Sequence, residues 1–204
     1  MDRVMVRVFD AAGMIYFKAA YLISKKNQTS VDRAMSTISI FMALSVGDIA
    51  PDFSLADQHG NKVNLETMLE KGPLVLFFYP KDDTPGCTRQ ACSFRDNYTL
   101  LLSHGVAVAG VSRDSADDHT AFIGKNELPY VLLSDPDGTV HNKYGCLLLF
   151  GMLSRRVTFL IDTRKRILLR HEDNFRMNSH VDAVLRALEN VRRKSTVDEN
   201  HHPR

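Results

Sequence analysis

An unbroken apolar run, Leu74-Val75-Leu76-Phe77-Phe78-Tyr79, leads straight into a polar turn, a helix-start signal and a cysteine. The aromatic and aliphatic content of the run suits a buried parallel strand with both faces covered. After the turn Pro80-Lys81-Asp82-Asp83, Thr84 suits an N-cap, Pro85 the first helical position, and Gly86 an uncrowded backbone. Cys87 then falls in the first helical turn, where unpaired amide donors and the positive end of the macrodipole favour the reactive thiolate. The sequence thus predicts strand, turn and helix, with Cys87 as an activated nucleophile and the Thr84 hydroxyl within reach of its backbone and sulfur. The alternative is an inert buried cysteine at an ordinary helix start.

Cys92 favours the first reading through its spacing. Two helical residues five apart differ by about 140° around the axis and roughly 7.5 Å along it, so their Cα atoms lie about 8–9 Å apart. A disulfide cannot span that distance without backbone movement. Such a pair is a poor permanent staple but suits a switch. Cys87 would be oxidised to sulfenic acid in the folded helix and condense with Cys92 after local unfolding.

The segments Phe78-Tyr79-Pro80-Lys81, Thr84-Pro85-Gly86-Cys87-Thr88, Ala91-Cys92 and Arg95-Asp96-Asn97 together resemble an atypical two-cysteine peroxiredoxin. The subtype resembled is the bacterioferritin comigratory protein, or peroxiredoxin Q. The resemblance runs from about Val46 to about Arg193. It includes Val46-Gly47-Asp48-Ile49-Ala50-Pro51-Asp52-Phe53-Ser54-Leu55, Leu132-Leu133-Ser134-Asp135 and Arg156-Val157-Thr158-Phe159-Leu160-Ile161-Asp162.

Length and composition allow one medium-sized domain with a tail at each end. A formal charge of +2 gives no reason to expect a nucleic-acid or membrane surface, and no apolar run approaches a membrane span. The three cysteines allow one internal pair with one thiol left over, which fits a reducing compartment better than a stapled secreted domain. A cytoplasmic location is expected. Residues 1–45 read as an N-terminal extension, either a start placed too early, before Met42, or a targeting segment for an organelle. Residues 46–193 read as the domain, and 194–204 as a disordered polar tail.

Within the domain, Asp52–Leu55 and Lys62–Leu65 read as a hairpin, followed by a short helix over Leu65–Leu69 capped by Asn64. The cysteine helix is expected to continue through Leu102 to Gly105. Val106–Ser112 reads as another parallel strand, and Ser115 as the cap of a helix towards Asn126. Tyr130–Leu133 reads as a strand, with a short helix near Val140–Tyr144. Val157–Ile161 and Ile167–His171 form a hairpin, and Val181, Val184, Leu185 and Leu188 give the last helix an apolar face. The pattern predicts a thioredoxin-like α/β domain: an N-terminal hairpin and a central mixed sheet flanked by helices.

Peroxide reduction needs a thiolate, an oriented O–O bond and donors for the leaving oxygen. Backbone amides around Gly86-Cys87 and the Thr84 hydroxyl supply donors. By resemblance, Arg156 is the third element and Pro80 shields Cys87 from solvent and over-reaction. The resemblance further implies hydrogen peroxide and organic hydroperoxides as substrates, and a Cys87–Cys92 disulfide recycled by thioredoxin or a similar dithiol. No flavin, nicotinamide or metal-ligand spacing is visible, so no cofactor is expected.

Cys146 reads as a core thiol, with the eight histidines in mostly polar surroundings and Asp82 and Asp83 on a solvated loop face. The stretch between Cys146 and Arg155 departs from the family pattern. A monomer is expected, with a weak dimer through an exposed Leu147-Leu148-Leu149-Phe150 patch as the alternative. Two rival functions are a thiol–disulfide carrier, which would show Cys-x-x-Cys where Thr84 replaces the first cysteine, and a noncatalytic peroxide sensor.

Overall fold

The structure, a computed structural model, describes residues 44–148 and 153–199, so the expected extension lies almost wholly outside the described residues. Strand β3 (Leu74–Phe78) is its centre, buried along its whole length. It pairs in parallel with β4 (Ala107–Ser112) and antiparallel with β8 (Val157–Ile161). β4 pairs in parallel with β5 (Val131–Ser134), which meets β1 (Ser54–Asp57) of the hairpin formed with β2 (Lys62–Asn64). β9 (Ile167–Glu172) closes the other edge, giving a seven-stranded mixed sheet in the order β2-β1-β5-β4-β3-β8-β9.

Side chains alternate across a strand, so β3 feeds two cores. Leu74, Leu76 and Phe78 point to one face, under α1 (Leu65–Leu69) and α5 (Thr139–Lys143), with Tyr144 and Cys146. Val75, Phe77 and Tyr79 point to the other. There they meet α2 (Pro85–Asp96), α3 (Tyr98–Ser103), α4 (Ala116–Asn126) and α6 (Ser179–Glu199) through Cys87, Ala91, Phe94, Leu101, Phe122, Val181 and Val184. Gly110 of β4 makes this second core possible. A Cβ there would come 2.7 Å from the Phe77 ring and 2.6 Å from Leu132, so only glycine lets Phe77 stack on Phe94, with ring centroids 4.7 Å apart.

The layered α/β arrangement follows the pattern expected from the sequence, with four local corrections. The cysteine helix does not run on to Gly105: it stops at Asp96, Asn97 takes φ −105° and ψ 8°, and α3 starts afresh. The Asn97 side-chain amide donates to the Ser93 carbonyl at 2.9 Å, satisfying an acceptor at the helix end. The last helix continues to Glu199, past the expected start of a disordered tail at residue 194. Arg192, Arg193 and Lys194, which are good helix formers, carry it past the end of its apolar face. A small pair, β6 (Leu147–Leu148) with β7 (Leu153–Ser154), stands apart from the main sheet. Leu147 and Leu148 are half-buried in it, while Leu149 and Phe150 lie outside the described residues. Finally, His119, His141 and His180 are fully buried, held there on the polar partners Asp82, Asp135 and Thr158.

Candidate active site

The sheet register places the site. Phe78, the last residue of β3, pairs with Val157, the first of β8, so the chain leaves β3 for the cysteine loop beside the point where Arg156 enters β8. Helix α2 begins at Pro85 with Thr84 as its N-cap in extended geometry, and its first backbone bond runs from Thr88 N–H to the Thr84 carbonyl at 2.9 Å. Cys87 lies in that first turn and is 1% exposed.

Arg156 reaches across to it. Its Nη2 and Nη1 donate to Cys87 Sγ at 3.4 and 3.5 Å, and Nη1 also donates to Gln90 Oε1 at 2.7 Å. Gly86 provides the room, because a Cβ there would sit 3.1 Å from Arg156 Nη2 and 3.8 Å from the Met177 sulfur. Arg156 is 6% exposed, and among the described residues its guanidinium pairs with no carboxylate. A buried cation without an anion is unfavourable by several kcal/mol or more. The group placed to supply that anion is the Cys87 sulfur. Neighbouring Arg155 turns outward instead and pairs with Glu172 at 3.1 Å.

The loop between β3 and α2 is tied down from below. Tyr79 Oη donates to Asp82 Oδ1 at 2.7 Å, and Asp82 Oδ2 meets His119 Nδ1 of α4 at 2.7 Å. The Asp82 amide donates to Asp114 Oδ2, which also accepts from the Ser112 hydroxyl. Asp82 is thus 6% exposed, contrary to the solvated loop face expected of it. Asp83 does face solvent, pairs with Lys125 at 2.7 Å and takes φ 57°, a left-handed conformation that aspartate tolerates.

Thr84 departs from expectation. Its side chain makes no capping bond to the helix; its hydroxyl donates to the Lys81 carbonyl at 3.1 Å. Its single proton is committed there, so towards a ligand this oxygen offers lone pairs, not a donor. Pro80 is exposed immediately after β3. Cys92 is half-buried on α2, and all three cysteines are free thiols in an intact helix and core. Cys146 is buried, its S–H donates to the Tyr144 carbonyl at 3.5 Å, and burial pushes the thiol well above its ordinary range.

Gln90 and His119 were missed by sequence reasoning. Each left a faint signal: Gln90 lies one turn from Cys87 on the buried face of α2, and His119 one turn before buried Phe122 on α4. Among the described residues, no group of three His, Cys, Asp or Glu side chains could hold a metal ion. Nor is any helix among them long and apolar enough to cross a membrane.

Comparison with known proteins identifies the family. The AhpC/TSA family model matches residues 46–170. A chloroplastic peroxiredoxin Q of Gentiana triflora is 40% identical over 155 residues, covering 76% of this chain and 71% of its own. That of Arabidopsis thaliana is 42% identical over 150 residues, covering 73% of this chain and 69% of its own. The crystal structure of peroxidoxin BcpB from Mycobacterium tuberculosis superposes with a TM-score of 0.69 at 38% identity, over 72% of this chain and 98% of the other. With its central mixed sheet, buried cysteine at a helix start and these relatives, the chain belongs to the AhpC/TSA family and is a thiol-dependent peroxidase of the peroxiredoxin Q type.

Proposed function

We propose that Cys87 is the residue that attacks the peroxide and that Cys92 resolves the product. The observation that carries this reading is the buried Arg156 guanidinium, which has two N–H groups on Cys87 Sγ and no carboxylate of its own. The sulfur attacks one peroxide oxygen, the O–O bond breaks, and the departing oxygen leaves as hydroxide or alkoxide and takes up a proton. Charge moves from sulfur to the leaving oxygen along that path, and Arg156 is within reach of both ends of it. Gln90 holds the guanidinium in place. Thr84, with its proton given to Lys81, accepts from the peroxide O–H and so orients the bond. Pro80 covers the loop on the solvent side. Hydroperoxides of either kind, hydrogen peroxide or alkyl, approach along a groove of about 300 Å³ lined by Arg89, Phe175, Arg176, Met177 and Asn178, of which Met177 abuts Gly86.

Cys92 then displaces hydroxide from the sulfenic sulfur, and a thioredoxin-like dithiol reduces the resulting disulfide. The working unit is proposed to be a monomer; sedimentation of the reduced and oxidised forms tests that. Replacing Cys87 with Ser should abolish peroxide consumption driven by thioredoxin and its reductase. Replacing Cys92 with Ser should leave one stoichiometric oxidation and stop recycling. Unaltered recycling in the Cys92 variant would refute the assignment of the resolving thiol. The plant relatives are chloroplastic by name. Imaging the full chain tagged at its C-terminus decides between an organellar and a cytoplasmic destination here.

A further inference from the structure

The Cys92 half of α2 is held in a different way from the Cys87 half. Tyr130, just before β5, donates its hydroxyl to the Ala91 carbonyl at 2.7 Å in a buried bond. Arg95 donates to the Asn126 carbonyl at 2.7 Å, and the Cys92 sulfur lies 3.9 Å from Asn126 Oδ1. All three bonds join α2 to one short connection, the end of α4 through Tyr130. That connection is fixed independently of α2. Asn126 donates to the Phe122 carbonyl at 2.9 Å, Glu127 takes the left-handed φ of 51°, and the Tyr130 ring meets Phe77 of the central strand edge-on at 5.9 Å. Burial pushes the Tyr130 phenol well above its ordinary range, so it remains a donor throughout the working pH range.

Bonding Cys92 to Cys87 requires the helix between them to open, since about 8–9 Å of helical Cα separation exceeds what a disulfide spans. Ala91 is joined directly to Cys92, so its carbonyl must turn as Cys92 swings, and the bond from Tyr130 breaks. Resting on the reading of Cys87 and Cys92 above, we propose that Tyr130 and Arg95 form a release latch. By holding α2 against the Asn126–Tyr130 connection, they set how a Cys87 sulfenic acid divides between disulfide and over-oxidation. In the first branch the Cys92 sulfur attacks the Cys87 sulfur, S–O breaks, S–S forms, and the hydroxyl leaves as water with the Cys92 proton. In the second, a further peroxide molecule transfers one oxygen to the sulfenate, giving sulfinate and water or alcohol. Tyr130 and Arg95 touch neither substrate nor the reacting sulfur; they are positioning residues.

The test compares the wild type with Tyr130→Phe, which removes a hydroxyl and leaves the ring packing in place. Reduced protein is treated with graded hydrogen peroxide, quenched with acid and a thiol alkylator, and its disulfide and sulfinic forms are separated by intact mass. The variant should need about fivefold more peroxide to reach half over-oxidation, the factor expected of one ordinary net hydrogen bond. The rate of the first oxidation should not change. Arg95→Gln, at a partly exposed position, should move the half-point in the same direction and serves if Tyr130→Phe fails to fold. A variant that melts at a lower temperature but keeps the wild-type half-point has lost only structural support, and the latch is refuted. A wild type that never forms a Cys87 sulfenic acid would remove both the latch and the reading beneath it. A wild type that cycles normally alongside an unmoved variant would remove the latch alone.

Discussion

Cys87 and Cys146 are buried to the same degree, at 1% and 0% exposure, yet the two thiols stand in opposite surroundings. Cys146 lies in the apolar core beneath the sheet, where desolvation holds it protonated and its S–H is spent on the Tyr144 carbonyl. Cys87 lies in the core on the other face, but with a helix start behind it and a guanidinium in front. Burial removes water from both. What separates them is whether the charge that water would have stabilised has another partner, so buried and inert are not the same statement. The largest test of the comparison removes the cation. Arg156→Met should lower kcat/KM for hydrogen peroxide by about a hundredfold to a thousandfold, the range typical of losing one preorganised donor. Arg156→Lys should recover only part of it, because a single ammonium nitrogen lacks the planar fork that sets two nitrogens on the sulfur while one of them also holds Gln90. A fall below about threefold in Arg156→Met would mean that the helix start alone activates the sulfur.

The same cation bears on a base nearby. His180 is buried, its Nε2 donates to the Asp173 carbonyl at 2.8 Å, and its Nδ1 accepts from the Thr158 hydroxyl at 2.8 Å, which fixes the neutral tautomer. Desolvation first, then the charges of His171 and Arg156, lower its pKa from 6.5 to about 4. The sign of the consequence follows from which state binds more protons. Between pH 6.5 and 4 the unfolded chain takes up a proton that the folded chain refuses, so stability is full above 6.5 and falls as the pH drops through that window. The loss amounts to at most about 3 kcal/mol, read as a falling urea midpoint. His180→Gln should flatten the dependence, and a variant whose acid transition matches the wild type would show that another group governs it.

The fold was legible wherever one local period decided the outcome. The apolar runs of β3, β4 and β8 announced strands, and Ser115 announced α4, where its hydroxyl and Asp118 form a reciprocal capping box. The place of Cys87 in a first helical turn was legible for the same reason, being marked by Thr84-Pro85-Gly86 just before it. Long-range facts left no such mark. Asp82 reads as a loop acid until His119, 37 residues away, is brought against it. The break at Asn97 is masked by Tyr98-Thr99-Leu100-Leu101-Leu102 directly after it, which resumes the helix pattern at once. Even Thr84 was half right: its place at the helix start was readable, but not that its proton goes backwards to Lys81 rather than forwards to Cys87.

The smallest effect belongs to the inert thiol, and it is the other half of the comparison. Cys146→Ala removes one sulfur from a closed apolar site and one weak bond to the Tyr144 carbonyl, so the cost is that of a small cavity, about 1 kcal/mol. Turnover with hydrogen peroxide should be unchanged, because Cys146 and Cys87 pack in separate cores on opposite faces of the sheet. In the wild type, one equivalent of peroxide should modify Cys87 while Cys146 is recovered by mass as free thiol. Its alkylation should track global unfolding in urea rather than precede it. Should Cys146 be oxidised alongside Cys87, or its loss slow recycling, burial would have failed to silence it, and the contrast would have to be sought in access instead of charge.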